Sequence, residues 1–252
     1  MSDPQVRGSV DAAEIRAFEA MADDWWNPTG RMAPLHRLNP TRLDWLKREI
    51  CRRFDRDPLS TTALDGLRII DIGCGGGLLS LPLARLGARV TGLDAGAANV
   101  AAARAAAERA GLDIDWRVDT AEAVAARGET FDVVVAMEIV EHVADLPLFM
   151  RAVAKCVTPG GLLALATLNR TAKSFALAVV GAEWILRWLP PGTHTWTKFV
   201  TPKELARVTE ANGLSVLEAC GMVYSPLAGT WRLDGGDLDV NYLMLAERPA
   251  VA

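Results

Sequence analysis

Short, wholly apolar runs alternate along this chain with longer stretches in which apolar residues recur every three or four positions. From residue 65 onward the runs "LRIIDIG", "ARVTGLD" (Ala88 to Asp94), "FDVVVAME" and "GGLLALATLN" (Gly160 to Asn169) have the length and branched content of buried strands. After the second of them, the Ala-rich "AANVAAARAAAERAG" is a strong helix former stopped by Gly111. A third, shorter strand ends ahead of Asp119 and Thr120. Near the end, "LSVLEACGMVYS" and "DVNYLMLAER" read as two more strands, the last mixing polar and apolar residues as an edge or antiparallel strand allows. This alternation predicts an α/β fold: a mostly parallel sheet of about seven strands, helices on both faces, and an antiparallel edge strand.

Residues 1–60 precede the sheet, with helical patterns around Ala12 to Met21 and Thr41 to Phe54. The Pro- and Trp-containing "WWNPTGRMAPLHRLNP" between them reads as a loop. The region is too small for a core of its own, so it is expected to fold over the sheet as a helical lid. The whole chain, 1–252, then forms one domain, with 61–252 as the ligand-binding core and 171–200 as an insertion facing the substrate.

Composition narrows the functions. Half the residues are hydrophobic, enough for one substantial core, and the formal charge of −4 makes no electrostatic case for a nucleic-acid partner. Cys51, Cys74, Cys156 and Cys220 are widely spaced without a CxxC pair, which suggests neither a zinc site nor a disulfide framework and fits a reducing cytoplasm. The start, "MSDPQVRGSVDAAEIRAFEA", has acids where an export signal needs bases and no apolar segment behind them.

"IIDIGCGGGLLS" runs from a strand through glycines into a helix, which brings backbone N–H groups and a helix start close to a ligand. The dinucleotide fingerprint fails here: Gly73, Gly75, Gly76 and Gly77 are present, but Leu78 stands where the last glycine is required. Asp71, beside the loop, would repel a pyrophosphate and attract a sulfonium or ammonium, so a cationic cofactor is favoured. Asp94, at the end of the second strand, stands where such folds place an acid on a ribose diol, and it also suits a helix N-cap.

The set Asp71, Gly73, Gly75 and Gly77 resembles the first motif of the class I S-adenosylmethionine-dependent methyltransferases, whose fold is Rossmann-like. "TPGG" resembles the turn before their fifth strand. Trp25-Trp26 and the stretches "PLHRLNPTRL", "MEIVEHV", "ATLNRTAKS", "AVVGAEWILRWLPPGTHTW" and "DVNYLMLA" are similar to one group within that class, the ubiquinone-biosynthesis O-methyltransferases. The resemblance implies methylation of a ring hydroxyl on a polyprenylated phenol and, later, a polyprenylated catechol. It implies cofactor contacts at Arg42, Gly73, Asp94 and Met137. A guanidinium at Arg42 suits the cofactor's carboxylate. Asn27, where relatives more often carry an acid, and Asp119-Thr120 depart from the pattern. Another small-molecule methyltransferase and a nucleotide-binding regulator without turnover are the competing functions.

Glu138, Glu141 and His142 follow directly on the "FDVVVAME" strand and share one face if a helix begins there. Two acids and an imidazole suit a hard or borderline divalent ion such as magnesium, and the resemblance implies a metal site at this triplet. His142 as a metal-free general base, and a purely structural helix start, remain open at this point. His36, Asn169, Arg170 and His194 are candidate lining for the aromatic head group. Finally, "KSFALAVVGAEWILRWLPP" is too short and too charged, at Glu183 and Arg187, to span a bilayer. Phe175, Val179, Ala182, Leu186 and Leu189 fall on one helical stripe with Trp184 and Trp188 beside it, as in an interfacial segment or a core helix. A lipid-resident substrate favours peripheral docking on the cytoplasmic face of the inner membrane, where a ubiquinone biosynthetic complex is a further expected partner.

Overall fold

The computed structural model describes residues 8–177, 195–225 and 229–250. Five strands run parallel in the order β3-β2-β1-β4-β5: β1 (Arg68–Ile72), β2 (Arg89–Asp94), β3 (Asp115–Val118), β4 (Phe131–Met137) and β5 (Val157–Leu168). β8 (Asn241–Glu247) lies antiparallel beside β5, followed by β6 (Ser215–Ser225) and β7 (Thr230–Asp234). The described residues therefore form a sheet of eight strands, and β8 is not its edge as the sequence pattern suggested. Alternate β8 residues feed both faces: Leu243 and Leu245 enter one core, Tyr242, Met244 and Ala246 the other. An edge position could not bury both sides so fully. The true edge is β7, whose five residues "TWRLD" are half-exposed and too polar to signal a strand by apolar periodicity.

Helices cover each face because their apolar stripes match these two cores. α2 (Ala33–Arg53), α3 (Ser80–Arg85) and α4 (Ala97–Ala110) contribute Trp45, Leu46, Ile50, Leu81, Val100 and Ala103 to one. α5 (Ala121–Ala126), α6 (Leu146–Lys155) and α8 (Pro202–Glu210) contribute Val124, Phe149, Met150 and Leu205 to the other. α1 (Ala12–Glu19) buries no residue fully, and α7 (Ala172–Ser174) is a single turn.

α2 corrects the expected loop, since it starts at Ala33 and runs through Pro40. Pro34 occupies the first turn, where its missing N–H costs nothing, and Pro40 removes one internal hydrogen bond that the helix tolerates because Leu38, Trp45 and Leu46 anchor it. The direction of strand order reverses between β1 and β4, and the carboxyl ends of β1, β2 and β4 open there onto one crevice, the usual ligand position in open α/β sheets. Among the described residues no helix is long and apolar enough to cross a membrane.

Candidate active site

The crevice is a cavity of about 250 Å³ lined by the glycine loop, the ends of β1, β2 and β4, and the segment from Ser9 to Leu35. Gly73, Gly75 and Gly77 take φ of 76°, 52° and 81°, a left-handed turn that a side chain would strain. A Cβ on Gly75 or Gly76 would approach within 2.4 and 2.3 Å of the Trp25 side chain, so the indole lies directly on the loop. Trp25 Nε1 donates to Asn99 Oδ1 at 2.9 Å, and Trp26 Nε1 to the Gly76 carbonyl at 2.8 Å.

Asp94 ties the loop together. Its carboxylate accepts from the N–H of Gly75 at 2.9 Å, the N–H of Gly96 at 2.8 Å and Nδ2 of Asn99 at 3.1 Å. The N-cap of α4 is Gly96, without a side-chain cap, so Asp94 is not itself the cap residue. Burial raises its pKa, against the three donors that lower it. Asp71 is fully enclosed, accepts from Ser80 Oγ at 2.6 Å, and is pushed up by burial to about 6.

Met137 ends β4 facing the cavity, and Glu138 then turns the chain with φ 54°, an uncommon backbone for a residue with a side chain. The residues that follow form a turn, and α6 begins only at Leu146, so the expected shared helical face does not exist. The three side chains part instead. Glu138 Oε1 stands 3.7 Å from Arg42 Nη1, Glu141 Oε2 accepts from Thr167 Oγ1 at 2.8 Å, and His142 Nδ1 lies 3.1 Å from Glu14 Oε2 on α1. Among the described residues no three acids, cysteines or histidines converge closely enough to hold an ion in this arrangement. The donor chemistry nevertheless suits one, because Glu138 Oε1 and Glu141 Oε1 are both buried without a hydrogen-bond partner.

Arg42 is buried against Glu138, Asp71 and Glu141. Burial lowers its pKa and the three acids oppose that. One guanidinium among three carboxylates leaves an excess of negative charge suited to a cationic ligand. Burial pushes Glu141 up to about 7, with Glu138 adding to the shift and His142 opposing it. Arg42 also donates to Asn39 Oδ1 at 3.2 Å, leaving Nε unpartnered.

His36, Asn169 and Arg170 do not line this cavity. His36 Nε2 bonds the Trp25 carbonyl, Asn169 donates to the Leu238 carbonyl, and Arg170 to the Phe199 carbonyl. His194, Trp184 and Trp188 lie outside the described residues. Asp119 and Thr120 do line the cavity. Sequence reasoning missed Glu14, Phe18, Asn99 and Thr167, whose positions are set by packing between distant segments; only the doubled Trp25-Trp26 carried a local signal.

A methyltransferase domain model matches residues 43–219. A ubiquinone biosynthesis O-methyltransferase of Brucella anthropi is 53% identical over 97% of this chain and 98% of its own length. One from a Methylobacterium strain is 56% identical over 96% and 97%. The chain belongs to the ubiquinone biosynthesis O-methyltransferases. It is an S-adenosylmethionine-dependent methyltransferase with the class I, Rossmann-like fold. Solved structures agree on that fold. The magnesium protoporphyrin IX methyltransferase of Synechocystis with bound S-adenosylmethionine superposes with a TM-score of 0.63 at 17% identity, covering 95% of this chain and all of the other. A possible histamine N-methyltransferase of Thermotoga maritima gives 0.65 at 15% identity, covering 93% and 99%. In this family setting the glycine loop, Asp94 and the Glu138–His142 turn stand around one cavity at the end of the sheet where class I folds place their ligands.

Proposed function

We propose that this O-methyltransferase acts on the ring hydroxyl of polyprenylated phenol and catechol intermediates, 2-polyprenyl-6-hydroxyphenol and 3-demethylubiquinol. In this reading Gly73, Gly75 and Asp94 hold the nucleoside end of the cofactor, while Arg42, Asp71 and Met137 face its methionine and sulfonium end. The observation that carries it is the single cavity that joins the glycine loop to the acidic Glu138–His142 turn. The substrate oxygen attacks the methyl carbon, the C–S bond breaks with its electron pair staying on sulfur, and the hydroxyl proton leaves. The protein's main tasks are alignment and exclusion of water, which Phe18, Trp25 and Met32 around the cavity serve as part of an N-terminal lid.

A free phenol, with pKa of about 10, is about one part in a thousand ionised at pH 7, which costs about 4 kcal/mol. A divalent cation, magnesium, held by Glu138, Glu141 and His142 would lower that cost by stabilising the oxyanion. The buried Glu141 Oε1, which has no hydrogen-bond partner, supports this reading. A second reading has His142 take the proton directly, and the engagement of its Nδ1 by Glu14 favours it, because Nε2 is then the ring's basic nitrogen. Labelled-methyl transfer to demethylubiquinol and to a short-chain catechol, before and after exhaustive chelation, separates them. Transfer lost on chelation and restored by magnesium, with cofactor affinity unchanged, is the expected result. Full activity in metal-free protein removes the cation and leaves His142 as base. No transfer to either acceptor removes the substrate assignment.

Phe175 and Leu177 are 46% and 54% exposed immediately before the segment 178–194. This supports peripheral docking of the segment on the inner membrane, with the cavity mouth turned toward the lipid that carries the substrate.

A further inference from the structure

Helix α1 belongs to neither core, yet it sends a carboxylate across to the reacting end of the cavity. Glu14 Oε2 meets His142 Nδ1 at 3.1 Å, and its other oxygen accepts from Lys198 Nζ at 2.9 Å. Lys198 in turn reaches Asp11 Oδ2, the N-cap residue of α1, at 3.1 Å. Phe18, one turn along, sets its ring edge-to-face against the imidazole at 5.1 Å between centroids. His142 is thus gripped on one nitrogen and on one ring face, its side chain only 13% exposed.

We infer that Glu14 is a positioning residue for methyl transfer: it holds the His142 imidazole in the orientation and tautomer that present Nε2 with a free lone pair. An ionised carboxylate only accepts, so Nδ1 must donate and, in the neutral ring, Nε2 must be the acceptor. That nitrogen is the one available to take a proton from the substrate hydroxyl or to ligate an ion, and a fixed partner on the far nitrogen serves both uses. The inference rests on the reading that His142 acts at the substrate oxygen, and it adds the residue that makes His142 competent. It also explains why α1 should matter to turnover although it touches the sheet so little. The helix delivers the second half of a carboxylate–imidazole pair that forms only when the N-terminal segment is seated.

The test compares Glu14→Ala, Glu14→Gln and Asp11→Ala. Asp11→Ala removes the α1 cap and one Lys198 contact without touching the imidazole. With only three histidines in the chain, long-range proton–nitrogen NMR of labelled protein can assign the His142 tautomer through a His142→Ala control. With the ring neutral, the proton should sit on Nδ1 in the wild type, stay there in Glu14→Gln, whose amide oxygen still accepts, and redistribute in Glu14→Ala. In parallel, kcat should fall about 10- to 100-fold in Glu14→Ala with little change in cofactor affinity, recover substantially in Glu14→Gln, and fall far less in Asp11→Ala. A wild-type proton on Nε2, or a tautomer indifferent to Glu14→Ala, overturns the proposal, whatever the substrate proves to be. So does an equal loss of kcat in Asp11→Ala and Glu14→Ala without rescue by Gln, which would make Glu14 an anchor of the helix. A shifted tautomer with unchanged kcat would show that the pair exists but that turnover does not use it, and would overturn the role in catalysis. If no variant, nor the wild type, methylates either acceptor while the tautomer shifts as expected, the substrate assignment fails and the pairing stands.

Discussion

Asp94 takes a third place beside the two that the sequence offered: it is not the cap of α4, which is Gly96, but the carboxylate that holds the glycine loop. As an acid at the end of β2 it was expected to meet a ribose or to cap a helix; it does the local work of holding Gly75, Gly96 and Asn99 while lining the cavity. Its removal should therefore loosen the glycine loop as well as delete a ligand contact. Charge-assisted hydrogen bonds are worth about 1.5–3 kcal/mol each, so Asp94→Ala should weaken S-adenosylmethionine binding by roughly tenfold to several hundredfold in calorimetry, with the sheet still folded by circular dichroism. Unaltered binding would assign Asp94 to the turn alone. At the same scale Glu138 was legible as a candidate from its place after an apolar strand, but its left-handed backbone was not. A residue with a side chain gives no local hint of φ 54°; the turn is imposed by β4 pairing with β5 on one side and by Ile139 packing on the other.

α1 is eight residues long and would not be stable alone, so its docking depends on the groups it presents. That makes it pH-sensitive, with a sign that follows from two shifts. The hydrogen bond from His142 is the chief cause that lowers Glu14 to about 2, aided by Lys198 and opposed by burial. Its contribution is present above the ordinary glutamate value of about 4.5 and is lost as pH falls from there toward 2. Burial pulls His142 down, but the bond to Glu14 and the charges of Glu141, Glu14 and Glu138 outweigh it and raise the pKa above 6.5. Its contribution is full below 6.5 and is lost as pH rises through the raised value. Amide exchange of α1, corrected for the intrinsic rate, should thus be slowest between about pH 4.5 and 6.5 and faster on either side. Protection that is flat across this range would detach α1 from the pair. The helix itself was legible as an amphipathic pattern from Ala12 onward; its partner, 128 positions away, was not.

For the whole molecule, the exposed apolar side chains of Phe175 and Leu177, just ahead of segment 178–194, bear on how the enzyme would reach a lipid. Charged replacements at Leu177, Trp184 and Trp188 should reduce liposome sedimentation about tenfold or more, because each apolar side chain withdrawn from water contributes about 1.5–3 kcal/mol. Turnover of a long-tailed quinol should fall with it while a soluble short-chain catechol is spared. Equal loss on both substrates with liposome binding intact would place the segment in the cavity wall.

Nearest neighbours and short periodicities along the chain encode one set of these features. The buried strands β1, β2, β4 and β5, the helix α4 ended by Gly111, the glycine loop and its departure from the dinucleotide fingerprint, and the acids at two strand ends all rest on local steric and solvation preferences that act wherever those residues stand. That β8 lies inside the sheet emerges only from folding, since mixed polarity cannot distinguish an edge strand from one fed by two cores. Folding alone carries α2 through Pro40, because the packing of Trp45 and Leu46 outweighs one lost hydrogen bond. It also separated Glu138, Glu141 and His142 toward Arg42, Thr167 and Glu14. Each of those partners comes from a different element, and a side chain's direction is settled by the charge and hydrogen-bond donors that folding brings within reach, which no spacing along the chain records.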